Sequence, residues 1–106
     1  MVSKHYRHQR SEREKFIDEC LGGDGKVIDI FIVDKGHKDG IERHEITDNG
    51  IIVIYNAVSN KLCSKLIARP YQIKRYYQST GRRYPKGYNK ILALAEKHKI
   101  LGYNEL

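Results

Sequence analysis

Acid is missing from almost half of this chain: between Asp48 and Glu96 there is no aspartate or glutamate. Other absences narrow the function further. There are two cysteines, Cys20 and Cys63, far apart and each in an apolar setting. That excludes a disulfide framework and a cysteine-built metal centre, and it predicts buried free thiols. No apolar run approaches membrane-spanning length. The basic start, MVSKHYRHQR, is not followed by the apolar stretch of a secretory signal, so the expected location is cytoplasmic, with no membrane partner. No dinucleotide fingerprint, phosphate-binding P-loop or HExxH zinc helix occurs, and no repeat or low-complexity tract. No cofactor is expected, and the histidines at positions 5 and 8 lack the cysteine or carboxylate neighbours of a metal site.

What remains is the composition of a folded domain. Of the 106 residues, 40% are hydrophobic and 31% charged, enough for one modest core. Residues 1–10 read as a flexible basic arm and residues 11–106 as a single domain. The charge of +7 is unevenly placed. Residues 1–56 hold nine Lys/Arg against eleven Asp/Glu, and residues 57–106 hold eleven against two. The second half also carries Tyr71, Tyr76, Tyr77, Tyr84 and Tyr88 between its cations. Core and rim packing accounts for most of these rings, but cations interleaved with tyrosines also fit phosphates and unpaired bases. Nucleic acid is therefore the expected partner, RNA rather than DNA, with Lys65, Lys74, Arg75, Arg82, Arg83 and Lys86 as candidate contacts.

The elements can be read in order. Ser11 and Glu14 form a capping box for a short helix whose buried face is Phe16, Ile17, Cys20 and Leu21, and which Gly22-Gly23 stops. Lys26–Val33 is a strand. Its apolar residues do not alternate, which predicts a central strand buried on both faces, and Asp29 has no place in that pattern. A loop with two glycines, Gly36 and Gly40, leads to the strand Ile41–Thr47. Asp48-Asn49-Gly50 makes a hairpin with Ile51–Asn56. A two-residue turn would set His44 opposite Tyr55, and a bulge at Gly50 would set it opposite Ile54. In either register His44 shares a face with Glu42 and Ile46.

The stretch Leu62–Tyr77 switches period in the middle. Leu62, Ser64, Leu66 and Ala68 alternate with Cys63, Lys65, Ile67 and Arg69, and then Ile73, Tyr76 and Tyr77 recur at helical spacing. Pro70 suits the first helical position, where a missing N–H costs nothing. A strand that ends in Arg69 and feeds a helix start is a place to hold a phosphate. After a basic loop over residues 78–87, Asn89 can cap a last helix with Ile91, Leu92, Leu94 and Ala95 inward, ended by Gly102. The order is helix, four hairpin-linked strands and two helices, which predicts an α+β fold around an antiparallel sheet.

Two histidines lie close together in the structured part, His37 in the glycine loop and His44 on the second strand. Glu42 and Glu45 are near them in sequence, and Ser64, Lys65 and Arg69 follow on the fourth strand. These residue types can cleave RNA without a metal. One group takes the 2′-OH proton, one protonates the leaving 5′-oxygen, and a cation stabilises the phosphorane. Histidine suits the first two tasks because it titrates near neutrality.

The segments G-H-x-x-G, E-x-H-x-I-T, G-I-I-V-I-Y-N and K-L-x-S-K-L-I-A-R-P-x-Q-I-x-R-Y, spanning Ile28 to Tyr77, resemble the barnase–EndoU–colicin–RelE group of small nucleases, in particular phage- and mobile-element-encoded members. The resemblance implies a toxin-type or phage ribonuclease, with an inhibitor or antitoxin protein as a further partner. Carried over by position, it implies His37 and His44 as acid and base, Ser64 as a polar group on the last strand and Arg69 as the phosphate clamp. Ser64 stands where such families favour threonine, and the hydroxyl is kept. The alternative expectation is a non-enzymatic basic regulatory or phage protein that binds nucleic acid or a partner protein. The two expectations diverge on one point: a nuclease needs His37, His44 and Arg69 around one phosphate, and a binder does not.

Overall fold

The computed structural model describes residues 15–18, 22–23, 25–38 and 40–100. Four strands, β1 (Val27–Asp34), β2 (Ile41–Thr47), β3 (Ile51–Asn56) and β4 (Leu62–Ile67), form one antiparallel sheet in the order β1-β2-β3-β4. A helix α1, described over residues 15–18, precedes the sheet. Helices α2 (Pro70–Thr80) and α3 (Tyr88–Ile100) follow it. The fold is α+β, as the hairpin signals and flanking helical patterns predict. The basic arm and the residues Ser11, Glu14, Cys20, Leu21 and Gly102 lie outside the described residues. No helix among the described residues is long and apolar enough to cross a membrane.

Helices cover both faces of the sheet. On one face Ile17 of α1 packs against Ile51, Val53 and Ile67. On the other, Phe31, Ile46 and Ile52 meet Ile73 and Tyr77 of α2 and Ile91 and Ala95 of α3. The β2–β3 turn selects this arrangement. Gly50 N–H donates to the Thr47 carbonyl at 3.1 Å, and Gly50 sits at φ 76°, where a side chain would be strained. This is a type I turn closed by a left-handed glycine, and it sets His44 opposite Ile54 and Ile46 opposite Ile52. Because opposed residues share a face, Phe31, His44, Ile54 and Ser64 form one row across the sheet on the α2 side.

β1 is an edge strand and not the central one its pattern predicts. Ile30 and Ile32 are exposed, at 42% and 63%. The alternation fails for two local reasons. A bulge at Ile28 shifts the register between Val27 and Asp29. Asp29, on the α2 side, is a polar anchor. One of its oxygens accepts from the Tyr77 hydroxyl at 3.0 Å and the other from Arg82 Nη1 at 2.7 Å. Arg82 also donates to the Ile30 carbonyl and lies over the Phe31 ring, 4.2 Å from its centroid. Burial, together with the hydrogen bond to Asp29, raises the Tyr77 pKa and keeps that hydroxyl protonated. Asp29→Ala leaves the buried Tyr77 hydroxyl without its acceptor, while Arg82 keeps the Ile30 carbonyl, and is expected to cost about 1–3 kcal/mol. Arg82→Ala should cost less, since its side chain is 42% exposed. Chemical denaturation of the two variants checks the order.

Pro70 occupies the first turn of α2, and Gly81 closes the helix at φ 65° with its N–H on the Tyr77 carbonyl at 2.9 Å. The helix therefore runs three residues past Tyr77, to Thr80. In α3, Ile91 and Ala95 are buried as predicted, Leu92 and Leu94 are half-buried, and His98, which the pattern does not single out, is buried at 2% exposure. His98 packs toward Gly50, where an added Cβ would lie 3.4 Å from the imidazole. Its Nδ1 has no hydrogen-bond partner among the described residues. Burial, and secondarily Lys97, lowers its pKa from the usual 6.5. The unfolded chain therefore takes up this proton more readily than the folded one. The stability is fully present above 6.5 and is lost as pH falls through the folded value. Melting temperature should fall on acidification from about pH 8 to pH 5, and His98→Leu should flatten that dependence.

Candidate active site

His44 is the best-held polar side chain on the α2 side of the sheet, at 6% exposure. It sits on β2 two residues from Glu42, so both side chains project from the same face. The ring bridges two partners. Nε2 lies 2.9 Å from Glu42 Oε1, and Nδ1 lies 2.5 Å from the hydroxyl of Tyr76 on α2. Tyr76 is fixed in turn, stacked on Phe31 with centroids 5.0 Å apart and 30° between the planes. Burial, and then the charge of Glu42, pushes the Tyr76 pKa up to about 12. With the Glu42 carboxylate accepting the Nε2 proton, Nδ1 is left as an acceptor and Tyr76 donates to it. The three groups make a chain, Glu42–His44–Tyr76, in which the outermost member is a phenol that stays protonated at neutral pH.

This chain opens onto a cleft of about 360 Å³ between the flank of α2 and the end of β1. His44, Tyr76, Gln72 and Ser79 line it, with Lys35 and Arg75 as its cations. Lys35 Nζ is 3.8 Å from Glu42 Oε1. A phenol, a histidine and two cations around one cleft can move a proton and hold an anion in the same place.

Of the residues predicted to be catalytic, only His44 lines this cleft. Ser64 lies in the same row, but Ile54 intervenes, placing it two strand spacings or ~10 Å away. His37 is exposed in the β1–β2 loop, where Gly40 N–H donates to its carbonyl. Its ring occupies the space above Gly40, 2.9 Å from where a Cβ would be. Arg69 caps the start of α2, its N–H donating to Gln72 Oε1 at 2.8 Å. It follows Ala68, whose N–H donates to the Gly50 carbonyl at the β2–β3 turn. His37 precedes β2 and Arg69 lies beside the turn that follows it. The six residue steps of β2 alone separate these ends by ~20 Å. One phosphate cannot contact both, so the predicted grouping of His37, His44 and Arg69 does not assemble. The reason is strand direction: β4 delivers Arg69 to the end of the sheet opposite the glycine loop.

The candidate phosphate contacts divide in the same way. Lys65 pairs with Val53 and so projects on the α1 side, away from the cleft. Arg75 lines the cleft. Lys74 lies on the other flank of α2. Arg83 and Lys86 are exposed in the loop after α2, and Arg82 is engaged with Asp29.

The residues that sequence reasoning left out are Tyr76, Gln72, Lys35 and the role of Glu42. The Glu42–His44 pairing was available from their spacing on one strand. Tyr76 lies 32 residues from His44, and nothing short of the crossing of α2 over the sheet joins them. No family model matches the chain, and neither a curated protein nor a solved structure matches it.

Proposed function

We propose that this protein is a small metal-independent endoribonuclease that cleaves single-stranded RNA in the Glu42–His44–Tyr76 cleft. The observation that carries the proposal is the hydrogen-bonded chain itself: a carboxylate, an imidazole and a protonated phenol in sequence, facing a cleft that also holds two cations. The resemblance of the Ile28–Tyr77 stretch to small nucleases supports the reaction class.

In the proposed reaction the ribose 2′-OH gives its proton to the Tyr76 oxygen while Tyr76 gives its own to His44 Nδ1. Glu42 stabilises the imidazolium that results. The 2′-oxygen attacks phosphorus and the bond to the 5′-oxygen breaks. The departing oxygen takes a proton from Lys35, and Arg75 stabilises the extra charge on the phosphorane. The products are a 2′,3′-cyclic phosphate and a 5′-hydroxyl. His37, Ser64 and Arg69 take no part at this cleft.

The test is incubation of end-labelled RNA with the protein in EDTA, with analysis of the product ends. Cyclic phosphate ends are expected. An absence of cleavage across diverse RNAs would overturn the proposal in favour of a non-enzymatic nucleic-acid binder, for which the acid-free charge of residues 57–95 would suffice.

A further inference from the structure

A second cleft, of about 560 Å³, lies on the opposite flank of α2, bounded by the loop after it and by the start of α3. Tyr84 and Tyr88 form one wall, stacked with centroids 4.4 Å apart and 27° between planes. Lys74 and Gln78 of α2 and Asn89 and Lys90 of α3 contribute the polar groups. Among the described residues, no carboxylate lines it. Its size is that of a small-molecule site.

Tyr84 is unusual among the aromatic residues here because it is both exposed, at 57%, and fixed. One side of its ring rests on Tyr88. Tyr77 lies 5.5 Å from it and also packs edge-on against Tyr88 and Phe31. The loop that carries it is tied to β1 by Arg82, through Asp29 and the Ile30 carbonyl. An exposed aromatic ring costs hydration, and holding it rigid leaves little ordering cost when a flat ligand stacks on it. Two lysines flank the ring, and the amides of Gln78 and Asn89 can meet the edge of a base.

We propose that this cleft is a nucleobase subsite for single-stranded RNA, in which a base stacks on Tyr84 and the adjoining phosphates pair with Lys74 and Lys90. The proposal rests on the reading of the protein as an RNA-cleaving enzyme and extends it to how the strand is held. The two clefts lie on opposite flanks of one helix, whose diameter is ~10–12 Å. Lys74 and Arg75, adjacent on the exposed side of α2, face one cleft each. A strand crossing α2 would place an unscissile base on Tyr84 while the cut phosphate lies beside Tyr76. A duplex offers no free base face, so the subsite selects unpaired RNA.

The experiment uses a short 2′-O-methyl RNA strand, which lacks the attacking hydroxyl, and reads binding by fluorescence anisotropy. Tyr84→Ala is expected to raise Kd about 5- to 100-fold for the single strand and to leave duplex binding unchanged. Tyr84→Phe keeps the stacking face and should bind like the parent. Lys90→Ala, which leaves the aromatic stack intact, should lower the slope of log affinity against log salt by about 1. Unchanged single-strand affinity in a folded Tyr84→Ala, or equal losses for single strand and duplex, would overturn the subsite. Because the probe cannot be cut, the result is separable from the enzyme reading. A protein that cleaves RNA but ignores Tyr84 refutes the subsite alone. One that needs Tyr84 for binding but cleaves nothing refutes the nuclease alone.

Discussion

Tyr76→Phe is expected to lower the single-turnover rate of RNA cleavage by about two to four orders of magnitude while leaving RNA affinity close to that of the parent. The variant removes one oxygen. The ring that stacks on Phe31 and covers the sheet is retained, so packing on the α2 side should survive. What disappears is the hydroxyl bonded to His44 Nδ1, and with it the link between the buried imidazole and the cleft. His44 itself is 6% exposed with both ring nitrogens engaged, so a substrate oxygen cannot reach it directly. The stability cost should be about 1 kcal/mol, for one buried acceptor left without its donor. Three measurements on the same preparation decide the matter: rate under saturating enzyme, affinity for an uncleavable strand, and a melting curve. Wild-type rate in Tyr76→Phe would remove the phenol from the chemistry. A parallel loss of rate and affinity would place Tyr76 in binding alone.

The fold was legible because its signals are local. The capping of α2 by Arg69-Pro70, the Asp48–Gly50 turn and the period change at residue 69 each depend on residues within one or two turns of each other. The pairing of neighbouring strands follows from their hairpin links, but the place of β1 at the edge does not, because the bulge at Ile28 and the anchor at Asp29 break its alternation. The β2–β3 register was open between two answers, and the left-handed Gly50 settled it. The site was only partly legible. Glu42 and His44 could be paired from the pleat of one strand. Tyr76 could not be joined to them, nor Asp29 to Tyr77 and Arg82, since those contacts span 32 to 53 residues and depend on how α2 crosses the sheet. The grouping of His37 with Arg69 failed for the converse reason. Proximity in a list of useful residue types says nothing about which end of a strand each one occupies. The cations of the acid-free half do not share one surface: Lys65, Arg82 and Lys74 lie on three different parts of the molecule.

His44 is buried beneath α2 and not on an open strand face, so its removal costs stability as well as rate. In His44→Ala the Tyr76 hydroxyl and the Glu42 carboxylate both lose their common partner, and a space opens beneath α2 where the imidazole had packed against the Tyr76 ring. The stability loss should be about 2–3 kcal/mol, combining a lost side chain with an unpaired buried group. Cleavage should fall by about two to four orders of magnitude, but in this variant a lower rate alone does not separate chemistry from misplacement of Tyr76. His44→Gln does separate them. An amide can hydrogen-bond to Tyr76 or Glu42 and fill most of the space, so it should recover much of the stability, yet it cannot accept and release a proton near neutrality. The expected result is a variant that melts near the parent temperature, binds the uncleavable strand normally and remains as slow as His44→Ala. If His44→Gln cuts RNA at the wild-type rate, His44 is a strut for Tyr76 and the proton must leave the cleft by another route.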